Sequence, residues 1–183
     1  YIYQTSATAN TLKILTADGL ALQGTVSGIV GANGVASATS DDASKEHVYV
    51  IGSGGSLNVY ERALGSTALV AKTSFQEGDT KGTRGLAGAN DVAMSADGTF
   101  VYVTSGDGES LVAFQRDTTT GELIFAQLLR GRVGLDSATE IVVTGGTDAK
   151  IFVSSDPGGL VSFDPVPLIG ELELQRINIG FEN

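Results

Sequence analysis

Apolar and polar residues alternate along this chain in short runs. Asp91-Val-Ala-Met-Ser95 puts Val92 and Met94 on one face of an extended segment. Ala96-Asp97-Gly98-Thr99 follows, and Asp-Gly supplies the positive φ angles that a tight hairpin needs. Phe100-Val-Tyr-Val-Thr104 is β-branched and aromatic and predicts a second strand. Ser105-Gly-Asp-Gly-Glu-Ser110 predicts a turn, Leu111-Val-Ala-Phe-Gln-Arg116 a third strand and Asp117-Thr-Thr-Thr-Gly121 another turn. Glu122-Leu-Ile-Phe-Ala-Gln-Leu128 predicts a fourth strand. Nowhere do apolar positions keep a helical period over a dozen residues, so no helix is expected.

This four-strand unit is repeated. Gly85–Ser105 has weaker copies in Gly28–Val35 leading to Val48–Ser53, and in Gly134–Val143 leading to Ile151–Ser155. Tyr1-Ile-Tyr-Gln-Thr-Ser6 matches only the second half of the unit. Tyr3, Val50, Val103 and Val153 are separated by 47, 53 and 50 residues. A period of about 50 residues carrying short strands is the mark of propeller blades. Third and fourth strands are expected at Leu57–Tyr60 and Thr67–Lys72 in the second unit, and at Leu160–Phe163 and Glu171–Ile177 in the last. Leu12–Leu15 and Leu20–Gln23 complete the first. Extra turn residues are expected at Ser40–Glu46, and Glu77–Thr83 as an exposed loop between blades.

A single meander has two apolar faces, and stacking neighbours around an axis buries both. The expected fold is therefore all-β: one partial or half β-propeller region over 1–183, with four-stranded antiparallel blades near 1–27, 28–77, 84–130 and 133–179. The first blade lacks its inner strand. Propellers close with about 4 to 8 blades, so a fragment, or a half-propeller completed by another chain, is expected. The partner is then a second copy of this chain or the remaining half of the wheel.

Ser95–Ser105, Leu111–Asp117 and Thr120-Gly-Glu-Leu-Ile-Phe125 resemble the repeats of bacterial lactonase-like propellers. Among these is the family named for its Tyr-Val-Thr-Asn tetrapeptide, which Tyr102-Val-Thr104 matches until Ser105 departs from it. The resemblance is strong over 85–129, moderate over 29–75 and weak in the last unit, where Thr144-Gly-Gly-Thr-Asp148 replaces the hairpin. Lactone hydrolases and many cell-surface proteins share such repeats, so the motif speaks to fold before activity.

Composition narrows the partners. The formal charge is −10, with 11 Lys and Arg against 21 Asp and Glu. The cations are scattered singly, so nucleic acid and anionic membrane surfaces fit poorly. Cysteine is absent, which removes disulfides, thiolate metal sites and a cysteine nucleophile. No apolar run nears a membrane span, so no insertion is expected. Tyr1 falls inside a strand pattern, so the native start and any targeting segment are expected upstream, and an extracytoplasmic location is favoured.

Candidate chemistry sits where strands begin around the axis. Asn90, Asp91 and Glu140 open inner strands, with Asn33 at the equivalent place; Asp107, Glu109 and Asp156 lie in loops on the same face. Oxygen ligands converging there suit Ca²⁺ or Mg²⁺, and propeller sugar lactonases are similar in using such oxygens around an axial ion. Turn and strand-start residues bonded to local backbone are the plainer reading. No calcium-loop motif is present. His47 reads as part of a charged lead-in to a strand, and Arg62 and Arg116 as exposed partners of Glu61 and Asp117. With no nucleophile–base pair in view, the leading expectation is a non-enzymatic interaction scaffold of a secreted or surface protein. The alternatives are a lactone hydrolase, with Asp91 and Glu140 holding an ion or activating water, and a calcium- or carbohydrate-binding module.

Overall fold

The computed structural model describes residues 1–80, 82–156 and 158–165. Fourteen strands among them form four antiparallel sheets, each a meander of consecutive strands. The first sheet is β1 (Ile2–Ser6), β2 (Thr11–Leu15) and β3 (Leu22–Ser27). The second is β4 (Ala32–Thr39), β5 (Lys45–Gly52), β6 (Ser56–Ala63) and β7 (Val70–Gln76). The third is β8 (Ala89–Met94), β9 (Phe100–Ser105), β10 (Ser110–Arg116) and β11 (Leu123–Arg130). The fourth is β12 (Ala138–Val143), β13 (Ile151–Ser155) and β14 (Gly159–Phe163). The strand expected at Glu171–Ile177 lies outside the described residues.

β4, β8 and β12 pack side by side as inner strands. β1 packs on β4 as β5 packs on β8 and β9 on β12, so β1 holds the second place in its blade and nothing described fills the first. The sheets bury their faces against one another in three cores. Leu12, Val48, Val50 and Tyr60 close the junction of blades 1 and 2. Ile51, Leu57, Phe75, Val101, Val103 and Phe114 close that of blades 2 and 3, where the Phe75 and Phe114 rings lie 5.1 Å apart. Tyr102, Leu111, Leu135, Ile151 and Val153 close that of blades 3 and 4. β9 shows why its sequence is unbroken apolar. Val101 and Val103 serve one junction and Phe100 and Tyr102 the other, so both faces of the strand are buried. Each such side chain contributes roughly 1.5–3 kcal/mol.

Several sequence expectations shift. The first unit aligns Tyr3 with Tyr49 and Tyr102, one residue away from Val50, because Tyr3 and Tyr49 take the same arginine contact described below. The outer strands of the first two blades begin later than Leu20 and Thr67, with Leu20 in the turn at a φ of 52°. The extra turn residues expected at Ser40–Glu46 are not found: the turn between β4 and β5 (40–44) has the same five residues as that between β8 and β9 (95–99), because Lys45 and Glu46 belong to β5. In both, an aspartate (Asp42 or Asp97) accepts from the preceding serine and from the following Ser44 or Thr99. The hydrogen bond from Ser40 leads in pulling the Asp42 carboxyl down to about 2. The 77–83 loop also departs from an exposed excursion. Thr83 is buried and Glu77 accepts from the Leu86 N–H at 2.7 Å.

The largest departure concerns His47, Arg62 and Arg116, all buried. Arg62 donates through Nε to the Tyr3 hydroxyl (3.0 Å), pairs with Glu46 and stacks its guanidinium 4.5 Å from the Tyr1 ring centre. Arg116 repeats this one blade on, donating through Nε to the Tyr49 hydroxyl at 2.8 Å. These are clamps between blades, not surface pairs. Glu61 instead meets Lys45 (3.1 Å) and Lys72 (3.3 Å). His47 is drawn inward because β5 extends to Lys45, which sets its ring beside Arg116 and Gly121.

His47 Nδ1 accepts from Arg116 Nη2 at 2.9 Å, since a guanidinium can only donate. Burial first, then the Arg116 charge, push the imidazole below its ordinary value; Glu61, 3.9 Å from Nε2, opposes this, while Lys45 and Lys72 add to it. An unfolded histidine binds its proton near 6.5. The folding stability that a neutral His47 contributes is therefore fully present above about pH 6.5 and declines as pH falls below it. Urea midpoints should be level between about pH 7 and 8 and drop from about 6.5 downward, and His47→Asn, which keeps an acceptor for Arg116, should flatten that drop. An unchanged profile in the variant would refute the assignment. Gly121 closes the same junction at a φ of 73°, and its carbonyl accepts from the Tyr49 hydroxyl at 2.9 Å. A Cβ there would run into the His47 ring. Gly121→Ala should cost about 2–4 kcal/mol in chemical denaturation, from a disfavoured backbone and overpacking together.

Candidate active site

The starts of the inner strands meet at one end of the axis. Each begins with a bulge, where two residues oppose one on the neighbouring strand: Ala32/Gly34, Ala89/Asp91 and Ala138/Glu140. The inserted residues are Asn33, Asn90 and Thr139. Asn33 donates through Nδ2 to the Ala89 carbonyl at 2.9 Å, and Asn90 to the Ala138 carbonyl at 2.6 Å. Both amides thus tie one blade to the next.

The residue after each bulge is Gly34, Asp91 or Glu140. A Cβ at Gly34 would come within 2.8 Å of Ile51 Cγ1, so blade 2 has no room for a carboxylate there. Asp91 is partly buried. One carboxylate oxygen accepts from the Val92 N–H (2.8 Å) and the other from Ile141 on the next blade (3.1 Å). Burial leads in raising its proton affinity above the usual aspartate value, the two N–H groups oppose it, and the negative charge of Glu140 adds to it. Glu140 is exposed, and its own N–H is held by the Ser154 hydroxyl at 3.2 Å. Two neighbouring carboxyls in unlike settings, one sheltered and one open, are what a proton-transfer pair requires.

The other candidates do not join this pair. Asp107 is exposed and tucks against Gly88 within its own blade. Glu109 is exposed at a φ of 46°, and Asp156 is exposed in a turn whose N–H bonds the Ser137 carbonyl. Among the described residues no three histidine, cysteine, aspartate or glutamate side chains cluster to hold an ion. Sequence reading missed the Tyr–Arg clamps. Their signal was there: Tyr3 and Tyr49, and Arg62 and Arg116, recur at matching repeat positions.

The chain is a partial β-propeller. Its fold is that of solved lactonase-like propellers. The periplasmic gluconolactonase of Pseudomonas aeruginosa superposes with a TM-score of 0.71 at 22% identity, covering 97% of this chain and 51% of that one. A 6-phosphogluconolactonase candidate from Bacteroides uniformis gives 0.71 at 14% identity, over 94% and 52%. A Lactobacillus plantarum protein gives 0.68 at 19%, over 96% and 53%. This chain spans about half the length of these structures. No protein-family model matches it. No curated protein matches it. Among the described residues no helix is long and apolar enough to cross a membrane.

Proposed function

We propose that these blades belong to a propeller that hydrolyses a sugar lactone, with Glu140 as base and Asp91 as its sheltered carboxyl neighbour. The reading replaces the interaction scaffold expected from sequence, for which the comparisons offer no support. The observation that carries it is the unlike carboxyl pair on adjoining inner strands, in a fold shared with proteins named for gluconolactone hydrolysis. Glu140 takes a proton from water as the water oxygen bonds to the lactone carbonyl carbon. The tetrahedral oxyanion then collapses, the ring C–O bond breaks and the protonated Glu140 returns the proton to the leaving ring oxygen, giving the open hydroxy acid and restoring the carboxylate. Asp91, fixed by the N–H groups of Val92 and Ile141, keeps a second carboxyl beside Glu140 near the axis. An acid-lined axis suits a neutral aldonolactone better than a phosphorylated one. The wheel would be completed by its remaining half, whether further sequence of the same protein or a second copy, and an extracytoplasmic setting agrees with the lack of cysteine. The test is turnover of aldonolactones, with and without phosphate, by the assembled protein. Absence of turnover on the whole panel would refute the reading.

A further inference from the structure

The outer strands β3, β7 and β11 each leave one edge unpaired among the described residues. Such edges recruit other chains unless charge or broken strand geometry guards them. The internal repeat shows how two of the three are guarded. Each strand carries a bulge at the same place, with one residue inserted against its neighbour: Gln23 in β3, Lys72 in β7 and Ala126 in β11. Lys72 puts a charge on its edge and pairs with Glu61 at 3.3 Å. In β3 the inserted residue is polar, and Gly24 beside it weakens the strand. β11 has neither device.

Leu123-Ile-Phe-Ala-Gln-Leu-Leu129 runs seven residues without charge, glycine or proline, a composition that favours pairing with another strand. Ile124 is 68% exposed, and Phe125 and Ala126 are exposed beside it, so apolar surface and unpaired backbone coincide. Glu122 stands just before the strand and Arg130 ends it, both exposed. Arg130 Nε donates to the Gly108 carbonyl at 2.9 Å, which anchors the guanidinium at the strand end. Two copies of this strand suit each other in one direction only. Set antiparallel about Ala126, they bring Glu122 of each copy opposite Arg130 of the other. Leu123 then faces Leu129, and Ile124 faces Leu128. Set parallel in register, they put Glu122 against Glu122 and Arg130 against Arg130. Opposite charges across a strand pair are favourable and like charges are not.

We infer that the outer edge of blade 3 is a self-pairing surface, through which two copies of this chain join by antiparallel β11 strands about a two-fold axis at Ala126. A two-fold contact uses the same patch on both copies and closes on itself, so pairing stops at two. The edge lies at the rim of the wheel and not at its axis. The contact is therefore separate from whatever completes the ring, and it stands without the hydrolytic reading.

Sedimentation over a concentration series should show a reversible doubling of mass. Ala126→Lys sets two lysines face to face and should weaken association at least about tenfold. Glu122→Arg should also weaken it, and adding Arg130→Glu should restore it, because the exchanged pairs are again opposite in sign. Cross-linking reads the register. The chain has no cysteine, so Ala126→Cys supplies its single thiol. Directly opposed antiparallel residues lie about 4.5–5.5 Å apart at Cα, within disulfide reach. Ala126→Cys should give a disulfide-linked dimer on mild oxidation. Ile124→Cys should not, because the two thiols would stand four residues of strand apart. A monomer at every concentration, a dimer indifferent to Ala126→Lys, no rescue by the double reversal, or cross-linking through Ile124→Cys in preference to Ala126→Cys would each overturn the inference. If the double variant does not fold, Ala126→Lys and the two cysteine variants decide.

Discussion

Arg116→Ala should destabilise the protein by about 3–5 kcal/mol, the largest cost expected of any single truncation here. Nε donates to the Tyr49 hydroxyl at 2.8 Å and Nη1 to the Gly98 carbonyl at 2.9 Å. Nη2 reaches the Thr39 and Thr118 carbonyls, both at 3.3 Å, and His47 Nδ1 at 2.9 Å. Truncation leaves buried acceptors from blades 2 and 3 without donors, in a junction too tight for bulk water to replace them. Arg116→Lys keeps the charge and loses the fork, so it should recover only a minor part of the loss. Arg62→Ala should cost less, because Glu46 is only partly buried and can regain water. Urea denaturation measures all three. A fall in melting temperature on the order of 10 °C is expected for Arg116→Ala. A midpoint close to wild type would mean that the junction is held by packing alone.

Glu140→Gln should lower kcat/KM for the lactone about 10²–10⁴-fold while leaving the melting temperature unchanged, because the side chain is exposed and its position is kept by the Ser154 contact to its backbone. Asp91→Asn should cost less activity, since an amide oxygen still accepts from Ile141. The two carboxyls are also linked electrostatically. The Glu140 charge is one cause of the raised proton affinity of Asp91, so Glu140→Gln should move the Asp91 titration downward, read by carbonyl NMR. Full turnover in Glu140→Gln, or an Asp91 titration that does not move, would remove Glu140 from the base role.

The blade pattern could be read from sequence because it is local. Alternation in Asp91–Ser95, the apolar run in Phe100–Val103 and the Asp-Gly turn at Asp97–Gly98 are decided within a few residues by strand pleat and turn geometry. Even the equivalence of Asn33 with Asn90, and of Asp91 with Glu140, follows from the repeat. The errors fell where a residue's neighbours come from another blade. His47, beside Lys45 and Glu46, looked like a solvated lead-in, and Gly121 and Arg116 made it a buried neutral ring. Arg116, beside Asp117, looked like half of a surface pair, and its partners proved to lie up to 77 residues away.

Sequence alone thus determined the strands, their turns, the period and hence the stacked arc of blades, because each depends on contacts within one unit. Only the tertiary structure decided which polar residues clamp the junctions and that Asp91 is sheltered while Glu140 is open. Those outcomes depend on side chains meeting across blades, where distance along the chain no longer tells which groups share a space or keep water out.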